Sequence, residues 1–244
     1  MFKCGEYPEA RLRRVRKLLK KMNIPKAYSS VGELIKDPDI QAVHNCTPNA
    51  LHFEINKQVL LSGKHLLSEK PLAINSDQSA ELVELTKLAD SVSGVCFNYR
   101  HYPMVSQIKE MLQSGKPGKV NLVYGGYLQD WLLLDTDYSW RLDPETNGPS
   151  RAIADIGSHW CDTVQYILNK RIVEVFADLK TVHPVRRKPK ESVSTFASSE
   201  DVEREDVKIT SEDYGSVLIH FENGVQGVFT VSQVAAGRKK PPAF

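Results

Sequence analysis

Two opposite charges stand directly before a proline in the segment SEKPLA, residues 68–73. Glu69 and Lys70 follow the apolar pair Leu66 and Leu67, at the end of a run that is typical of a buried strand. A charge in such a place is costly unless it is paired or used in chemistry, whereas an isolated Glu-Lys-Pro is most often a surface turn. Other polar side chains that converge on the same place would favour a functional site.

A second group of titratable residues lies in the segment SRAIADIGSHWCDTVQYI, residues 150–167. Asp155, His159 and Asp162 are spaced by four and three residues, which places them along one face if a helix begins near Gly157. Such a histidine is often a satisfied core residue, and such an aspartate is often a helix cap. An imidazole or a lysine amine held next to a hydroxyl group can instead accept its proton.

The first hundred residues alternate predicted strands with predicted helices. The strands are expected at 2–4, 40–46, 65–68 and 94–99, and the helices at 8–22, after a Ser30–Glu33 capping box, at 49–62, and from Asn75 or Ser76 to about residue 91. Strands separated by helices of this length pair in parallel with right-handed crossovers. The pattern therefore predicts an α/β fold with a doubly wound, Rossmann-type parallel sheet.

Three of the predicted strands end in polar or charged residues. The segments CTPNALH, SEKP and NYRHYP follow strands that end near residues 46, 67 and 97. Ligands of parallel α/β sheets bind beyond the carboxyl ends of the strands. The joint occurrence of the three segments favours a binding site at this edge over a chance surface turn.

The pattern changes after residue 102. A helix is expected from Pro103 to Ser114, followed by long strands at 119–131, 172–182 and 216–234, the last a hairpin with Asn223-Gly224 at its turn. Antiparallel strands of this kind predict an α+β domain with an open sheet, so the chain divides into domains 1–101 and 102–244. The segment 183–213 has few large apolar residues and is predicted to be an exposed, mobile excursion.

Composition and charge exclude several other classes of protein. The 244 residues carry a net charge of only +2, and the basic segment 11–21 has apolar residues at helical spacing, so it is interpreted as an amphipathic helix and not as a nucleic-acid site. No apolar run approaches the roughly 18 residues that span a bilayer, so a cytoplasmic protein without a membrane or nucleic-acid partner is expected. The four cysteines show no CxxC or Cys/His pairing, which predicts reduced, mostly buried thiols and no metal site.

Four segments resemble, in order, the motifs of the glucose-fructose oxidoreductase, inositol dehydrogenase and rhizopine-catabolism (Gfo/Idh/MocA) family. They are AVHNCTPNALHFE, GKHLLSEKPLA, FNYRHYP and ADIGSHWCD. Each motif is weak alone, but four in the right order are specific. The resemblance implies a Rossmann domain followed by an α+β domain, hydride transfer between NAD or NADP and a sugar or polyol hydroxyl, and a homo-oligomer in the full-length form.

The resemblance also implies roles for individual residues. Those expected to bind the cofactor or the substrate are Thr47, Pro48, Asn49, His52, Glu69, Lys70, Asn98, Arg100, Trp140 and Arg141. Glu69 and Lys70 would lie beside the nicotinamide ribose, with Glu69 orienting Lys70 and compensating its charge. Lys70, Asp155 and His159 would face the carbinol that is oxidised, as the catalytic residues.

The sequence departs from the family's pattern in several places. Such enzymes open with a strand and a Gly-x-Gly-x-x-Gly turn that holds the pyrophosphate, and this chain is expected to lack both and to begin at the second strand. Gly5 and Glu6 stand where an acidic residue would grip the ribose, which leaves NAD and NADP both open. Gly148-Pro149 replaces a Gly-Gly that is common in the family, and Pro149 cannot donate a backbone hydrogen bond. The last sheet of the family is expected to be cut short in this chain. A non-catalytic sensor of dinucleotides or sugars, or an inactive fragment, therefore remain as alternatives.

Overall fold

The computed structural model describes residues 15, 17–190 and 203–237. The predicted strand at 2–4 and most of the predicted helix at 8–22 lie outside these ranges, and residues 17–21 are helical. The helices are α1 (Val31–Lys36), α2 (His52–Leu61), α3 (Ser76–Leu88), α4 (Pro103–Gln113), α5 (Pro144–Asn147) and α6 (Ser158–Leu168). The strands are β1 (Ala42–Asn45), β2 (His65–Ser68), β3 (Ser93–Val95), β4 (Leu122–Leu128), β5 (Ile172–Lys180), β6 (Val185–Pro189), β7 (Arg204–Lys208), β8 (Tyr214–Phe221) and β9 (Gln226–Ser232).

The first sheet has the predicted parallel pairing. Its order is β1-β2-β3, and the register pairs Asn45 with Ser68 and Ser68 with Val95. One face packs on an apolar core formed by Phe53, Val59, Leu60, Leu66, Ala73 and Leu82, most of which lie on α2, β2 and α3. The carboxyl ends of the three strands therefore meet at one edge, as the sequence predicted.

Local capping interactions fix where the helices begin. The Ser30 side chain accepts a hydrogen bond from the Glu33 main chain, as the predicted capping box requires. The Glu33 carboxylate accepts from the N–H of Ser29 at 2.8 Å and not from that of Ser30, so the return bond is shifted by one residue. Asn75 caps α3 by accepting from Gln78. These contacts satisfy N–H groups that have no partner within the helix.

The predicted strand at 94–99 is shorter in the structure. It ends at Val95, and residues Asn98–His101 form a 3₁₀ turn. The main chain turns because the N–H of Phe97 bonds back to the Val95 carbonyl at 2.8 Å. This turn leads directly into α4.

The second sheet has the strand order β4-β9-β8-β5. The hairpin between β8 and β9 turns at Gly224, which has φ of 80° as the Asn-Gly signal requires. The pairing is mainly antiparallel, but β4 pairs with β9 in parallel, which the sequence did not predict. Helix α6 packs on one face, over a core of Ala152, Ile156, Val164, Val217, Ile219, Phe221, Val225, Phe229 and Val231.

The segment 183–213 is not the exposed excursion that its composition predicted. Strands β6 and β7 pair as an antiparallel ribbon, and Arg186 and Asp213 have no exposed surface. The prediction of exposure was wrong for Arg186 and for residues 211–213, which are buried, whereas residues such as Glu205, Asp206 and Lys208 are exposed as predicted. Opposite charges can be buried as pairs, so a polar composition does not by itself mean exposure. Residues 191–202 lie outside the described ranges.

The proposed division of the chain at residue 102 falls between the two sheets. The first sheet ends at Val95 and the second begins at Leu122, with the 3₁₀ turn and α4 between them. The position of the boundary stays a prediction. Within the described ranges, no helix has the length and apolar character needed to cross a bilayer.

Candidate active site

Lys70 is paired with Asp155, a residue 85 positions later in the chain. Its Nζ donates to the Asp155 Oδ1 at 2.6 Å and to the Asp155 main-chain oxygen at 2.8 Å. The side chains of Lys70 and Asp155 keep 16% and 23% of their surface exposed, so the pair is open on one side. The Lys70–Pro71 peptide bond is cis.

Glu69 does not compensate Lys70, and that expectation was wrong. Its carboxylate lies 3.6 Å from Nε2 of His44. Successive side chains of an extended segment point to opposite sides, so neighbours in sequence diverge in space. The charge pair that the sequence suggested is therefore formed across the two halves of the chain, between Lys70 and Asp155.

Asp155 lies in a wide helical turn and not in the following helix. The turn spans Ile153–Gly157 with π-helical geometry, and α6 begins at Ser158, close to the predicted start. π-Type turns inside helical segments are frequent at functional sites. Here the turn presents Asp155 to Lys70, while His159 lies in the first turn of α6.

His159 is buried against aromatic rings. Its ring stacks on Tyr99 with centroids 4.2 Å apart and meets the edge of Phe97 at 5.7 Å. Its Nδ1 is buried and has no hydrogen-bond partner among the described residues, so it is not the satisfied core histidine of the alternative interpretation. A buried polar atom without a partner is uncommon and marks a site worth a functional explanation.

The charge state of His159 follows from its surroundings. Burial, and secondly the Lys70 ammonium, lower its pKa below the ordinary value of 6.5, and the nearby carboxylates of Asp155, Asp162 and Glu69 only partly offset this. The imidazole is therefore neutral at pH 7. A neutral imidazole can accept a proton.

Arg100 is occupied by Asp162. Its Nε donates to Asp162 at 2.7 Å, and a second guanidinium nitrogen bonds the other carboxylate oxygen. The hydrogen bonds that Arg100 donates to the Asp162 carboxylate raise the pKa of Arg100. This bidentate pair fastens the turn after β3 to α6, so we assign Arg100 a positioning role next to His159.

A buried network that the sequence did not reveal holds Asp155 from behind. Gln233 donates to the Asp155 Oδ2 at 2.9 Å and accepts from Arg151 at 3.0 Å. Arg151 and Arg186 both pair with Asp213, and all three side chains are fully buried. We call Arg151, Arg186 and Asp213 the Asp213 cluster. The sequence offered one signal for this network, which is the amide side chain of Gln233 directly after a strand rich in apolar residues.

The protonation of Asp213 reflects two opposing effects. Burial favours the neutral acid and would raise the pKa of Asp213. The opposite effect is larger, because the carboxylate is stabilised by the guanidinium groups of Arg151 and Arg186 and by a hydrogen bond from the main chain of His183. The pKa of Asp213 is therefore lowered. The Asp213 carboxylate therefore stays ionised and paired at neutral pH.

Glu212 fixes the start of the turn that carries Asp155. Its Oε1 accepts from the Ser150 hydroxyl at 2.8 Å and from the main-chain N–H groups of Arg151 and Ile153 at 2.8 and 2.9 Å. These groups would otherwise be unpaired at the beginning of a helical segment. The residues just before β8, which the sequence assigned to a mobile segment, thus position the site.

The residues expected to line the cofactor have different places. Thr47 is half-buried and its hydroxyl donates to Asn45 at 2.7 Å, and Asn49 donates to Asn147 at 2.8 Å, across the two halves of the chain. His52 has no exposed surface, and its ring nitrogens lie 2.6 and 2.8 Å from the carbonyl oxygens of Pro71 and Thr47. His52 therefore holds the two strand-end loops together and does not line a ligand site, which corrects the expectation.

The remaining expected contacts lie in two places. Asn98 is exposed at the start of the 3₁₀ turn after β3, and Pro48 precedes the turn Asn49–Leu51. Trp140 and Arg141 lie on another 3₁₀ turn and contact each other, with the guanidinium 4.6 Å from the ring centroid. The structure thus brings Lys70, Asp155, His159, Asp162 and Arg100 into one group, while Trp140 and Arg141 form a separate pair.

The fold and this group of residues define the chain as an α/β protein with a polar site at the carboxyl edge of its parallel sheet. Residues 9–99 match a family model described as the oxidoreductase family with an NAD-binding Rossmann fold, and residues 105–244 match one described as the GFO/IDH/MocA C-terminal domain. The chain belongs to the Gfo/Idh/MocA family of oxidoreductases.

Two sequence relatives and two solved structures illustrate the likeness. The chain is 32% identical to levoglucosan dehydrogenase of Pseudarthrobacter phenanthrenivorans, over 86% of this chain and 54% of that protein, and 28% identical to myo-inositol 2-dehydrogenase of Thermotoga maritima, over 91% and 58%. An oxidoreductase domain protein from Kribbella flavida superposes with a TM-score of 0.84 at 34% identity, over 93% of this chain and 59% of that one. A levoglucosan dehydrogenase in complex with NADH and levoglucosan superposes with a TM-score of 0.80 at 29% identity, over 93% and 57%. The chain therefore spans somewhat more than half the length of these relatives.

Proposed function

We propose that this chain carries the proton-transfer machinery of an NAD(P)-dependent dehydrogenase that oxidises a hydroxyl group of a sugar or polyol. The observation that carries the proposal is the open Lys70–Asp155 pair beside a neutral His159 whose Nδ1 is buried without a partner. Oxidation of a carbinol requires that its hydroxyl proton be accepted as the hydride leaves. Both an ammonium that can bind the substrate oxygen and a base are present.

Each residue of the site has one task in this reaction. The Lys70 ammonium donates a hydrogen bond to the substrate oxygen and stabilises the negative charge that develops on it. His159 accepts the hydroxyl proton, which its lowered pKa permits at neutral pH. Asp155 holds Lys70 in place, and the stacking of Tyr99 on the imidazole fixes the ring plane.

The carboxyl edge of the first sheet fits a dinucleotide in its chemistry. Thr47, Pro48, Asn49, Glu69 and Asn98 all lie there with at least part of their surface exposed, which offers amides, a hydroxyl and a carboxylate to ribose and phosphate groups. The nicotinamide ring supplies the hydride acceptor when the cofactor is bound. The NADH named in complexes of the related levoglucosan dehydrogenase supports NAD over NADP.

The names of the relatives support the substrate class. Levoglucosan dehydrogenase, 1,5-anhydro-D-fructose reductase and myo-inositol 2-dehydrogenase are named for a cyclic sugar derivative or a polyol. Vicinal hydroxyl groups of such compounds can be bound by a lysine and a histidine held side by side. We propose a substrate of this class and a cytoplasmic location.

The open face of the second sheet supports a homo-oligomer. The register places Phe176, Leu218, Val228 and Tyr124 in one row across the four strands, and Tyr124 and Phe176 are 80% and 70% exposed. A row of apolar side chains on an uncovered sheet face marks an interaction surface. Phe176→Glu should weaken self-association in light scattering, with Val83→Glu on α3 as the control. An unchanged mass for the Phe176 variant would contradict this surface.

The dehydrogenase proposal is tested by measuring NADH and NADPH formation with a panel of cyclic sugars and polyols. Lys70→Met should lower turnover by about a hundredfold or more, since positioned acid–base groups contribute factors of that size. Lys87→Met, at an exposed lysine of α3, should leave turnover unchanged. Binding of a dinucleotide or sugar without turnover in the unmodified protein would favour the non-catalytic sensor instead.

A further inference from the structure

Four side chains with metal-ligand atoms meet at the carboxyl edge of the first sheet. The parallel ladder continues one residue beyond the strands, because the N–H of Glu69 bonds the Asn45 carbonyl at 2.9 Å and the N–H of Cys96 bonds the Ser68 carbonyl at 2.8 Å. In this register Cys46, Glu69 and Cys96 are neighbours in one row. His44 precedes Cys46 by two residues, so both lie on the same face of the sheet.

Three of the four ligand atoms of this strand-end group lie close together, and Cys96 approaches them at His44. Those of His44, Cys46 and Glu69 all lie within 4.8 Å of one another, with His44 Nε2 at 3.6 Å from the Glu69 carboxylate. The Cys96 Sγ lies 3.5 Å from the same His44 nitrogen. Ligands of a tetrahedral zinc ion are separated by roughly 3.4–3.8 Å, given metal–ligand bonds of about 2.0–2.3 Å.

We propose that His44, Cys46, Glu69 and Cys96 form a binding site for a borderline-soft divalent cation of the Zn²⁺ type. Thiolate, imidazole and carboxylate are the ligands that Zn²⁺ takes in proteins, and two thiolates favour it over Mg²⁺ or Ca²⁺. Glu69 is also one of the residues that we propose to meet the dinucleotide, so a cation and the cofactor would compete for this carboxylate. The inference rests on the ligand geometry and not on the proposed dehydrogenase activity. It also replaces the expectation of no metal site, which rested on spacing along the chain, whereas here the sheet register assembles residues from three strands.

Three features of the group fit such a site. Glu69 is not engaged by Lys70, so its carboxylate is available on this face. Cys46 is exposed and Cys96 half-buried, contrary to the expectation of mostly buried thiols. His44 and Glu69 keep 47% and 40% of their side-chain surface, so a cation can reach both.

The experiment is a titration of the reduced protein with Co²⁺, followed by competition with Zn²⁺. All forms carry Cys4→Ser, so that this thiol contributes no signal. We expect one Co²⁺ per chain, with the absorption bands of thiolate ligation and of tetrahedral geometry, and full displacement by Zn²⁺. Cys46→Ser and Cys96→Ser should each weaken the thiolate band and lower the affinity by about tenfold or more, and His44→Gln should lower the affinity similarly.

Cys161→Ser is the matched control, because Cys161 lies on α6 and packs against the apolar core of the second sheet. It should leave the spectrum and the affinity unchanged, and circular dichroism should show that every variant is folded. Binding without a thiolate band, or a band that survives in both the Cys46 and the Cys96 variants, would overturn the proposal. A loss of the band in the Cys161 variant alone would do the same.

Discussion

The protein contains two groups of paired charges that lie side by side and differ in how they are satisfied. In the Asp213 cluster, Asp213 is bonded by both arginines and the side chains have no exposed surface. In the Lys70–Asp155 pair the lysine and the aspartate keep 16% and 23% of their surface, and the neighbouring His159 Nδ1 has no partner. Gln233 connects the two by bonding Arg151 on one side and Asp155 on the other.

The difference in exposure and bonding indicates that the two groups have different roles. Asp213 accepts from both guanidinium groups and from the main chain of Val182, although the Arg186 Nε is buried without a hydrogen-bond partner among the described residues. A buried charge that is held by several partners is rigid, and it is costly to disturb. An open pair can exchange a hydrogen bond with a ligand. We therefore propose that the Asp213 cluster supplies the rigid support and that the Lys70–Asp155 pair supplies groups that act on the substrate. A positioned site requires such a locked support behind it.

The largest expected effect is on stability, from Asp213→Ala. The substitution leaves two buried guanidinium groups without their anion, and breaking a buried pair in this way costs about 3–5 kcal/mol. Urea unfolding followed by circular dichroism measures the loss. Asp135→Asn, which removes an exposed partner of Arg187, is the control and should change the unfolding midpoint little. Equal effects of the two changes would break the distinction between rigid and open pairs.

The next effect is expected from Gln233→Leu, which cuts the connection between the two groups. Asp155 loses one hydrogen bond, so Lys70 is held less firmly, and a small misplacement can cost up to about a hundredfold in turnover. A second readout does not depend on turnover. An amine reagent should label Lys70 faster in the Gln233 variant than in the unmodified protein, as measured by mass spectrometry. Gln226→Leu at the exposed start of β9 is the matched control. Unchanged labelling and turnover in the Gln233 variant would show that the cluster does not support the site.

The smallest effect concerns the pH dependence of stability through His159. Its pKa in the folded protein lies below the value of about 6.5 of the unfolded chain, so below that pH the unfolded state takes up the proton more readily. Stability due to this group is unaffected above pH 6.5 and falls as the pH drops below it, by at most about 1.4 kcal/mol per pH unit. His159→Gln should flatten the curve just below pH 6.5, where the unfolded chain begins to take up the proton. His101→Gln, at an exposed histidine, should not flatten it, and identical curves for the two variants would contradict the buried neutral state of His159.

Local rules in the sequence predicted most of the first sheet and its helices. The strand 65–68 and the Asn75 cap appear as predicted, and the Asn223-Gly224 turn forms the expected hairpin. These features depend on a few neighbouring residues. The parallel pairing of β4 with β9 was not predictable, because it joins segments more than a hundred residues apart.

The site was predictable only in part, for a related reason. Lys70, Asp155 and His159 stand in recognisable motifs, and the structure brings them together. The partners behind them are set by tertiary packing: Arg186, Glu212 and Asp213 lie in a polar segment that composition alone assigned to the surface. Glu69 shows the opposite error, since adjacency in sequence suggested a partner that the extended backbone directs elsewhere.

The central claim is that Lys70 and His159 serve one proton-transfer event, and a double-mutant cycle of hydride transfer tests it most directly. Stopped-flow measurement of the transient NADH signal would compare Lys70→Met, His159→Gln and the double variant with the unmodified protein. Each single change should slow transfer by about a hundredfold or more, and the double change should cost little beyond either one, as for residues that act as a unit. Losses that multiply in the double variant, or a near-normal rate for Lys70→Met, would contradict the account.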